Sequence, residues 1–155
     1  MDRLPPQPTT RHLAFAQLFS STRRGARLAR LLTVDRLRSW GAPEGLTERA
    51  EAVVAELAAN AVLHGHLPGR GFRLTLVLDA PRGRLRLDVT DARGDKWPPL
   101  PPANAMPDTS LGTGGRGLAL VEALVDHWET LPHPPGGKTV RAELAESPRS
   151  TAPRA

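Results

Sequence analysis

Residues 56–65 read ELAANAVLHG, and Glu56, Asn60 and His64 follow one another at intervals of four residues. On an α-helix, residues at this spacing rise along one strip, each turned by about 40° from the last. The strip borders the apolar face of an amphipathic helix. A carboxylate one turn from a carboxamide suits a general base beside an oxygen ligand for Mg²⁺. The same pair is also ordinary on the polar border of a surface helix.

The periodicity of the remaining sequence predicts the elements around this helix. Alternation with period two predicts strands, and recurrence every three to four residues predicts helices. The predicted strands cover about residues 12–19, 72–78, 85–90, 128–131 and 139–145. The predicted helices cover about residues 20–40, 43–64 and 118–126. The element order predicts an α+β two-layer sandwich, in which a mainly antiparallel mixed sheet carries the helices on one face.

The first two predicted helices carry signals for their starts and their packing. Residues 20–22, Ser-Ser-Thr, supply capping hydroxyls for the first helix, and Thr47 is the expected cap of the second. In the first helix, an apolar stripe that includes Leu28, Leu31 and Leu37 is expected to face the core.

Length and composition fit one compact domain. Of the 155 residues, 39% are hydrophobic and 24% are charged. Residues 1–8, with three prolines, and the small polar residues 147–155 predict disordered tails around a folded domain at residues 9–146. The absence of cysteine excludes thiol catalysis, disulfides and cysteine zinc sites. We expect a cytoplasmic protein without membrane contact, because no apolar run suits a membrane span or a signal peptide.

The net charge of +5 would suit nucleic acid, nucleotide phosphates or an acidic protein surface. Direct nucleic-acid binding is the least favoured of the three. Aromatic residues make up only 4% of the chain, tyrosine is absent, and no zinc-finger or RNA-recognition motif is present.

A glycine-rich stretch precedes the third predicted helix. Residues 112–117 read GTGGRG and follow a region in which five prolines prevent regular structure. Phosphate fits here, because residues without Cβ leave the free N–H groups of a helix N-terminus accessible. A flexible hinge with a helix cap explains the glycines equally well. The stretch lacks the Gly-Lys-Ser/Thr of a P-loop and the preceding strand of a Rossmann site.

Asp91 ends the third predicted strand, and Gly94 follows soon after. A carboxylate at this point can accept a hydrogen bond from an exocyclic amine such as that of adenine. An aspartate at a strand end is also a common turn former.

Taken together, these segments resemble the nucleotide-binding boxes of the Bergerat-fold (GHKL) ATPases in order and spacing. The matching stretches are residues 56–65, residues 88–95, which read DVTDARGD, and residues 112–117 at the start of a helix. Among these ATPases, the chain looks most like the small bacterial anti-sigma-factor serine kinases. The resemblance extends over nearly all of residues 10–145 and implies a Bergerat ATP-binding fold with ATP and Mg²⁺ as cofactors.

The resemblance also implies roles for individual residues. Glu56 would be the catalytic base or water-orienting carboxylate, Asn60 would ligate Mg²⁺, and Asp91 would bind the adenine amino group. The remaining nucleotide contacts that it implies are Gly94, Gly112, Gly114, Gly115, Arg116, Gly117 and Thr139. His64 would lie near the phosphates or cap the helix.

Two features of the sequence depart from the family pattern. Asp91 is followed by Ala-Arg-Gly-Asp, where the superfamily commonly has Asp-x-Gly-x-Gly. Thr139 belongs to only a loose match of the Gly-Thr element in the last strand.

The length leaves no room for the dimerisation helices of histidine kinases or for transducer domains. The resemblance therefore implies an ATP-dependent serine/threonine kinase of the anti-sigma-factor type, acting in transcription regulation. Such a protein transfers phosphate to a serine of an anti-anti-sigma (STAS-type) partner and binds a sigma factor. The alternative is a catalytically silent, nucleotide-dependent protein-binding module. The family also suggests a homodimer, with which an amphipathic first strand and helix are compatible.

Overall fold

The computed structural model describes residues 11–94 and 114–146, the latter with side chains from residue 119 onward. The predicted tails and the proline-rich region lie outside these residues. The elements follow one another as β1 (His12–Phe19), α1 (Arg23–Ser39), α2 (Glu44–His64), β2 (Phe72–Asp79), β3 (Arg84–Asp91), α3 (Gly114–Leu124), β4 (His127–His133) and β5 (Gly137–Ala145).

The strands form a five-stranded sheet in the order β1-β2-β3-β5-β4. All four pairings in the described part of the chain are antiparallel. β3 lies at the centre, between the hairpin partner that precedes it and the strand that ends the domain. The predicted α+β sandwich with a mainly antiparallel sheet is confirmed.

One face of the sheet is apolar, because side chains alternate between the two faces of each strand. Its buried residues are Leu74, Leu76 and Leu78 of β2, Leu85, Leu87 and Val89 of β3, and Val140, Ala142 and Leu144 of β5. α2 packs on these three strands, and α1 and α3 pack against α2. The core therefore lies between the sheet and α2.

α1 begins as the capping hydroxyls predict, since the Thr22 side chain accepts a hydrogen bond from the N–H of Gly25 at 3.0 Å. Its buried face differs from the predicted leucine stripe. Leu28 and Leu31 are 45% and 49% exposed, whereas Leu37 is fully buried. The buried residues of α1 are Gly25, Ala29, Thr33 and Leu37. Small residues at intervals of four let α1 lie close to its neighbours, and this contact leaves the two leucines outside.

α2 begins at Glu44, with Pro43 in the N-cap position and no side-chain cap. The prediction that Thr47 caps this helix is wrong. Thr47 is buried inside the first turn, where its hydroxyl donates to the carbonyl of Pro43 at 3.2 Å. Proline at this position has no N–H to satisfy and presets the backbone for the helix that follows.

Candidate functional site

The end of α2 meets the end of β3 at Gly65. The N–H of Gly65 donates to the carbonyl of Ala61 at 3.0 Å and closes the helix. A Cβ at this position would overlap the carboxyl group of Asp91, so glycine is required for the close approach. Asn60 lies five residues before Gly65, about 7.5 Å along the helix axis. The two sequence boxes that carry Asn60 and Asp91 are thus neighbours in the fold.

Asn60 presents an unsatisfied polar group at this place. Its Nδ2 atom is buried and has no hydrogen-bond partner among the residues that the structure describes. Buried side-chain polar atoms nearly always have partners, so this atom can still bond to a water molecule or a ligand. The oxygen and nitrogen of a carboxamide exchange places by rotation about χ2, so the same position can present an oxygen to a cation.

The donor set around Asn60 fits a magnesium ion held chiefly by a nucleotide. Residues 11–94 and 114–146 contain no cluster of three or more histidine, aspartate or glutamate side chains that could hold a metal alone. Mg²⁺ commonly takes one or two protein oxygens and completes its shell with water and phosphate oxygens. Asn60 would supply one such oxygen.

Glu56 lies one turn before Asn60 on the same helix and is half-buried. Within the described residues, no hydrogen-bond donor or cation pairs with its carboxylate. Such a carboxylate has oxygen atoms that can accept hydrogen bonds. His64, one turn beyond Asn60, is exposed on the last turn of α2.

Asp91 is 6% exposed and already has two hydrogen-bond donors. The ammonium of Lys138 lies 3.0 Å from Oδ1 and 2.9 Å from Oδ2, and the N–H of Arg93 donates to Oδ1 at 2.9 Å. Lys138 also donates to the carbonyl of Arg93 at 2.8 Å. A buried ion pair thus joins β3, the turn that follows it and β5.

The structure does not bring Thr139 together with Asp91. The register pairs Asp91 with Lys138 and Thr90 with Thr139. Because side chains alternate, Thr139 and Thr90 point to the face away from the helices. There their hydroxyl groups share a hydrogen bond of 2.8 Å.

Gly94 supports the site through its backbone. Its N–H donates to the carbonyl of Gly136 at 2.7 Å, and a Cβ would lie 2.7 Å from the carbonyl oxygen of Gly137. The turn after Asp91 therefore packs directly on the hairpin between β4 and β5, with no room for a side chain.

The glycine-rich stretch enters the structure at Gly114, the first residue of α3. The sequence predicts a start four residues later, at residue 118. Gly114, Gly115 and Gly117 form its first turn, whose N–H groups have no intrahelical acceptors and are suited to an anion. Gly112 and the side chain of Arg116 lie outside the described residues.

Arg49 of α2 holds the other end of α3. It donates to the carbonyl of Leu124 at 3.2 Å and to that of Ala145 at 3.0 Å, and it lies 3.7 Å from a carboxylate oxygen of Asp126. These contacts connect α2, the C-terminus of α3 and the end of β5. The C-terminal end of α3 is therefore held against α2.

The family model of the histidine kinase-like ATPase domain matches residues 19–144. The chain belongs to this family. No curated protein matches the chain. Among solved structures, it is similar to the RsbU and RsbW domains of Rv1364c from Mycobacterium tuberculosis, with 22% identity and a TM-score of 0.63. That match covers 86% of this chain and 32% of the solved chain, so the protein described here corresponds to about a third of the length of the solved chain. At this identity the likeness concerns the fold.

The predicted resemblance to the GHKL ATPases is confirmed by this membership. An ATPase domain family implies ATP binding. In the structure, the end of α2 approaches Asp91, and α3 packs against α2. Among the residues that the structure describes, no helix is both long and apolar enough to cross a membrane.

Two residues of this candidate site are not predicted by the sequence. Lys138 stood beside the predicted Thr139, and only the register of β3 and β5 shows which of them faces Asp91. Gly65 closed the first quoted motif, but the close approach that requires glycine there depends on a side chain from β3. A prediction of which residues are paired across neighbouring strands would have identified Lys138.

Proposed function

We propose that this ATPase domain is a regulatory protein that transfers the γ-phosphate of ATP to a serine of an anti-anti-sigma (STAS-type) partner. The observation that carries the proposal is the buried amide nitrogen of Asn60, which has no hydrogen-bond partner among the described residues. It lies on the helix that also carries Glu56 and whose end contacts Asp91.

The nucleotide would lie along the second half of α2. Asp91 would accept a hydrogen bond from the adenine amino group at the end of β3. The phosphates would extend toward Asn60 and the first turn of α3, where free N–H groups favour an anion. Asn60 would hold Mg²⁺, which when bound neutralises charge on the phosphate oxygens.

Glu56 would act as the general base. Its carboxylate would take the proton of the serine hydroxyl as the serine oxygen forms a bond to the γ-phosphorus. The bond between that phosphorus and the β,γ-bridging oxygen breaks, and ADP leaves with the electron pair. General-base assistance is typically worth about 10²- to 10⁴-fold in rate, and positioning with charge stabilisation supplies most of the rest.

The partners would be a STAS-type protein and a sigma factor, which places the protein in transcription regulation in the cytoplasm. Exposed arginines on α1 support an acidic partner surface, since Arg23, Arg24 and Arg27 all face solvent. A catalytically silent module would use the same nucleotide site to change its affinity for such a partner without transferring phosphate.

The first test is calorimetric titration with ADP and ATP, with and without Mg²⁺. The parent is expected to bind both nucleotides more tightly with Mg²⁺, and Asn60→Ala is expected to lose that gain. Glu48→Ala, which removes an exposed side chain from the same helix, serves as the control. Absence of nucleotide binding by the folded parent would contradict the proposal.

The second test measures transfer of labelled γ-phosphate to a STAS protein from the same cell. Glu56→Gln is expected to keep nucleotide binding and to lose about 10²- to 10⁴-fold in transfer rate. An unchanged rate would show that Glu56 is not the base. A parent that binds ATP and the STAS protein but transfers nothing would favour the silent module.

A further inference from the structure

A groove of about 360 Å³ crosses the end of the sheet on the face away from the helices. Its floor is a row of side chains on three neighbouring strands, Leu18, Arg73 and Thr90, which are successive partners in the register. Because Thr90 points away from the helices, its partners on β2 and β1 do so too. Neither the motifs nor the family resemblance assigns this surface a role.

Two loops form the walls of the groove. The connection between α2 and β2 contributes Leu67 and Arg70, and the hairpin between β4 and β5 contributes residues 133–135, His-Pro-Pro. Asp91 also borders the groove. The groove and the candidate nucleotide site therefore lie on two sides of the end of β3.

The groove carries positive charge that the described part of the protein does not neutralise. Arg70 and Arg73 are exposed, and neither has a carboxylate partner among residues 11–94 and 114–146. The carboxylate of Asp91 is already paired with Lys138 at 2.9 Å. The two guanidinium groups are therefore available to carboxylates of another molecule, which they can bind through paired hydrogen bonds.

Charges in the middle of this sheet face are instead matched within the domain. Arg141 donates to Asp88 through two hydrogen bonds of 2.9 and 3.0 Å, and Asp88 is 8% exposed. Arg86 lies 3.9 Å from the same carboxylate. The arginines of the groove have no such partner in the described part of the chain.

Apolar side chains lie beside the arginines of the groove. Leu18 is 62% exposed, and Leu67 and the two prolines of the hairpin extend the apolar surface. The floor spans three strands, about 10 Å, which is the length of about three residues of extended chain. A short extended segment with carboxylates and an apolar side chain matches this groove in length, charge and polarity.

We propose that this groove binds an acidic segment of a protein partner, whose carboxylates contact Arg70 and Arg73 and whose apolar side chain packs on Leu18. Nucleic acid fits less well, because none of the described lining residues is a phenylalanine, tyrosine or tryptophan on which a base could stack. This interaction goes beyond the proposed phosphate transfer and does not require nucleotide.

The experiment measures the binding of a fluorescein-labelled peptide, Glu-Leu-Asp-Leu-Glu, by fluorescence anisotropy at an ionic strength of about 0.1 M. The parent is expected to bind it at least about tenfold more tightly than the amide analogue Gln-Leu-Asn-Leu-Gln. At about 1 M salt this preference should disappear, because the Debye length falls to about 3 Å.

Arg70→Gln combined with Arg73→Gln is expected to weaken binding of the acidic peptide at least about tenfold. The matched control combines Arg84→Gln with Arg86→Gln, which removes the same charge near the opposite end of β3. These positions lie about 14–20 Å along the strand from Thr90, beyond a Debye length of about 10 Å, so the affinity should change less than about threefold. All four side chains are exposed, so both variants should fold.

Leu18→Ala tests the apolar contact and is expected to weaken binding about two- to tenfold. Leu28→Ala, which shortens an exposed leucine of α1, should leave the affinity unchanged. Absence of peptide binding by the folded parent, or equal affinities of the two double variants, would overturn the proposal. A single-stranded oligonucleotide that displaces the peptide and binds the parent more tightly would overturn the choice of a protein segment. No nucleotide is present in these titrations, so their outcome is separate from that of the ATP-binding test.

Discussion

At residue scale, the position of Gly65 ties the end of α2 to the Asp91 carboxylate. Gly65→Ala places a Cβ where it overlaps Asp91, so the helix end or the carboxylate must move. We expect a loss of about 1–3 kcal/mol in the free energy of unfolding, as overpacking of a close contact typically costs. We also expect weaker ADP binding. Urea denaturation and calorimetric titration measure the two effects.

Gly45→Ala is the matched control on the same helix, since a Cβ there meets nothing within 4 Å. Replacing glycine by alanine in a helix without a clash stabilises it by up to about 1 kcal/mol. If Gly65→Ala were as stable as Gly45→Ala and bound ADP equally well, the close packing of α2 on Asp91 would be refuted.

The sequence predicts which candidate-site residues lie together where their spacing along one helix decides this. Glu56 and Asn60 share a strip because of helical periodicity alone, and the structure places both on α2. Lys138 was not predictable in this way, since it reaches Asp91 from a strand 47 residues away. A difference of one residue in register exchanges the two sheet faces, which is why the structure pairs Lys138, not Thr139, with Asp91.

At element scale, Arg49 connects α2 to the end of α3. Arg49→Met removes donors from the carbonyl groups of Leu124 and Ala145. We expect a loss of about 1–3 kcal/mol in the free energy of unfolding, because hydrogen-bonding groups that are partly buried lose their partners. ADP affinity should fall as well, since α3 is then held less firmly against α2. Chemical denaturation and ADP titration check both effects.

Arg38→Met is the comparison for this variant. Arg38 pairs with Glu44 at 2.7 Å between α1 and α2, but both side chains are more than half exposed. Exposed ion pairs contribute about 0–1 kcal/mol, so stability and ADP affinity should change little. Equal effects of the two arginine variants would contradict a special role for Arg49.

The junction of α1 and α2 also predicts a small pH dependence. The hydrogen bond from Arg38 lowers the pKa of Glu44 below its usual value of 4.5. A lowered pKa in the folded state means that the contribution is complete above the unfolded pKa and is lost as pH falls through the folded pKa. The difference in melting temperature between the parent and Glu44→Gln should therefore shrink as pH falls below 4.5 and vanish at a pH below the folded-state pKa of Glu44. A difference that persists there would contradict this assignment.

The elements themselves were predicted best where polarity alternates clearly. β1 occupies the predicted residues, and the β2–β3 hairpin turns at Gly83, whose φ is +61°. The buried side of α1 was mispredicted because hydropathy marks Leu28 and Leu31, whereas the packed residues are small. α3 begins four residues before the predicted start, because the low helix propensity of glycine hides its first turn from the sequence pattern and the packing of Val121 in the core offsets that preference.

At the scale of the whole molecule, the order of elements was sufficient to predict the sandwich. Two hairpins and two adjacent helices leave few ways to cover one sheet face, and short connections favour antiparallel neighbours. What the order does not specify is that the last hairpin inserts β5 beside β3 and leaves β4 at the edge. That insertion brings Lys138 to Asp91, so this end of the candidate site depends on the complete sheet.

A ligand at this site should therefore stabilise the entire domain. α2, β3 and β5 contribute to one core, and the site is assembled only when they pack together. Binding to the folded state alone adds about 2.7 kcal/mol at a ligand concentration about 100 times Kd. For a domain of this size, that corresponds to an increase of roughly 5–10 °C in melting temperature. Scanning calorimetry with ADP and Mg²⁺ measures the increase, and removal of Mg²⁺ by a chelator should reduce it in the parent but not in Asn60→Ala.

Arg141→Met, altered on the opposite sheet face, should keep the full response to Mg²⁺. An unchanged melting temperature at saturating ADP would mean that nucleotide binding does not require the assembled site. The proposed position of the nucleotide between α2 and β3 would then be wrong.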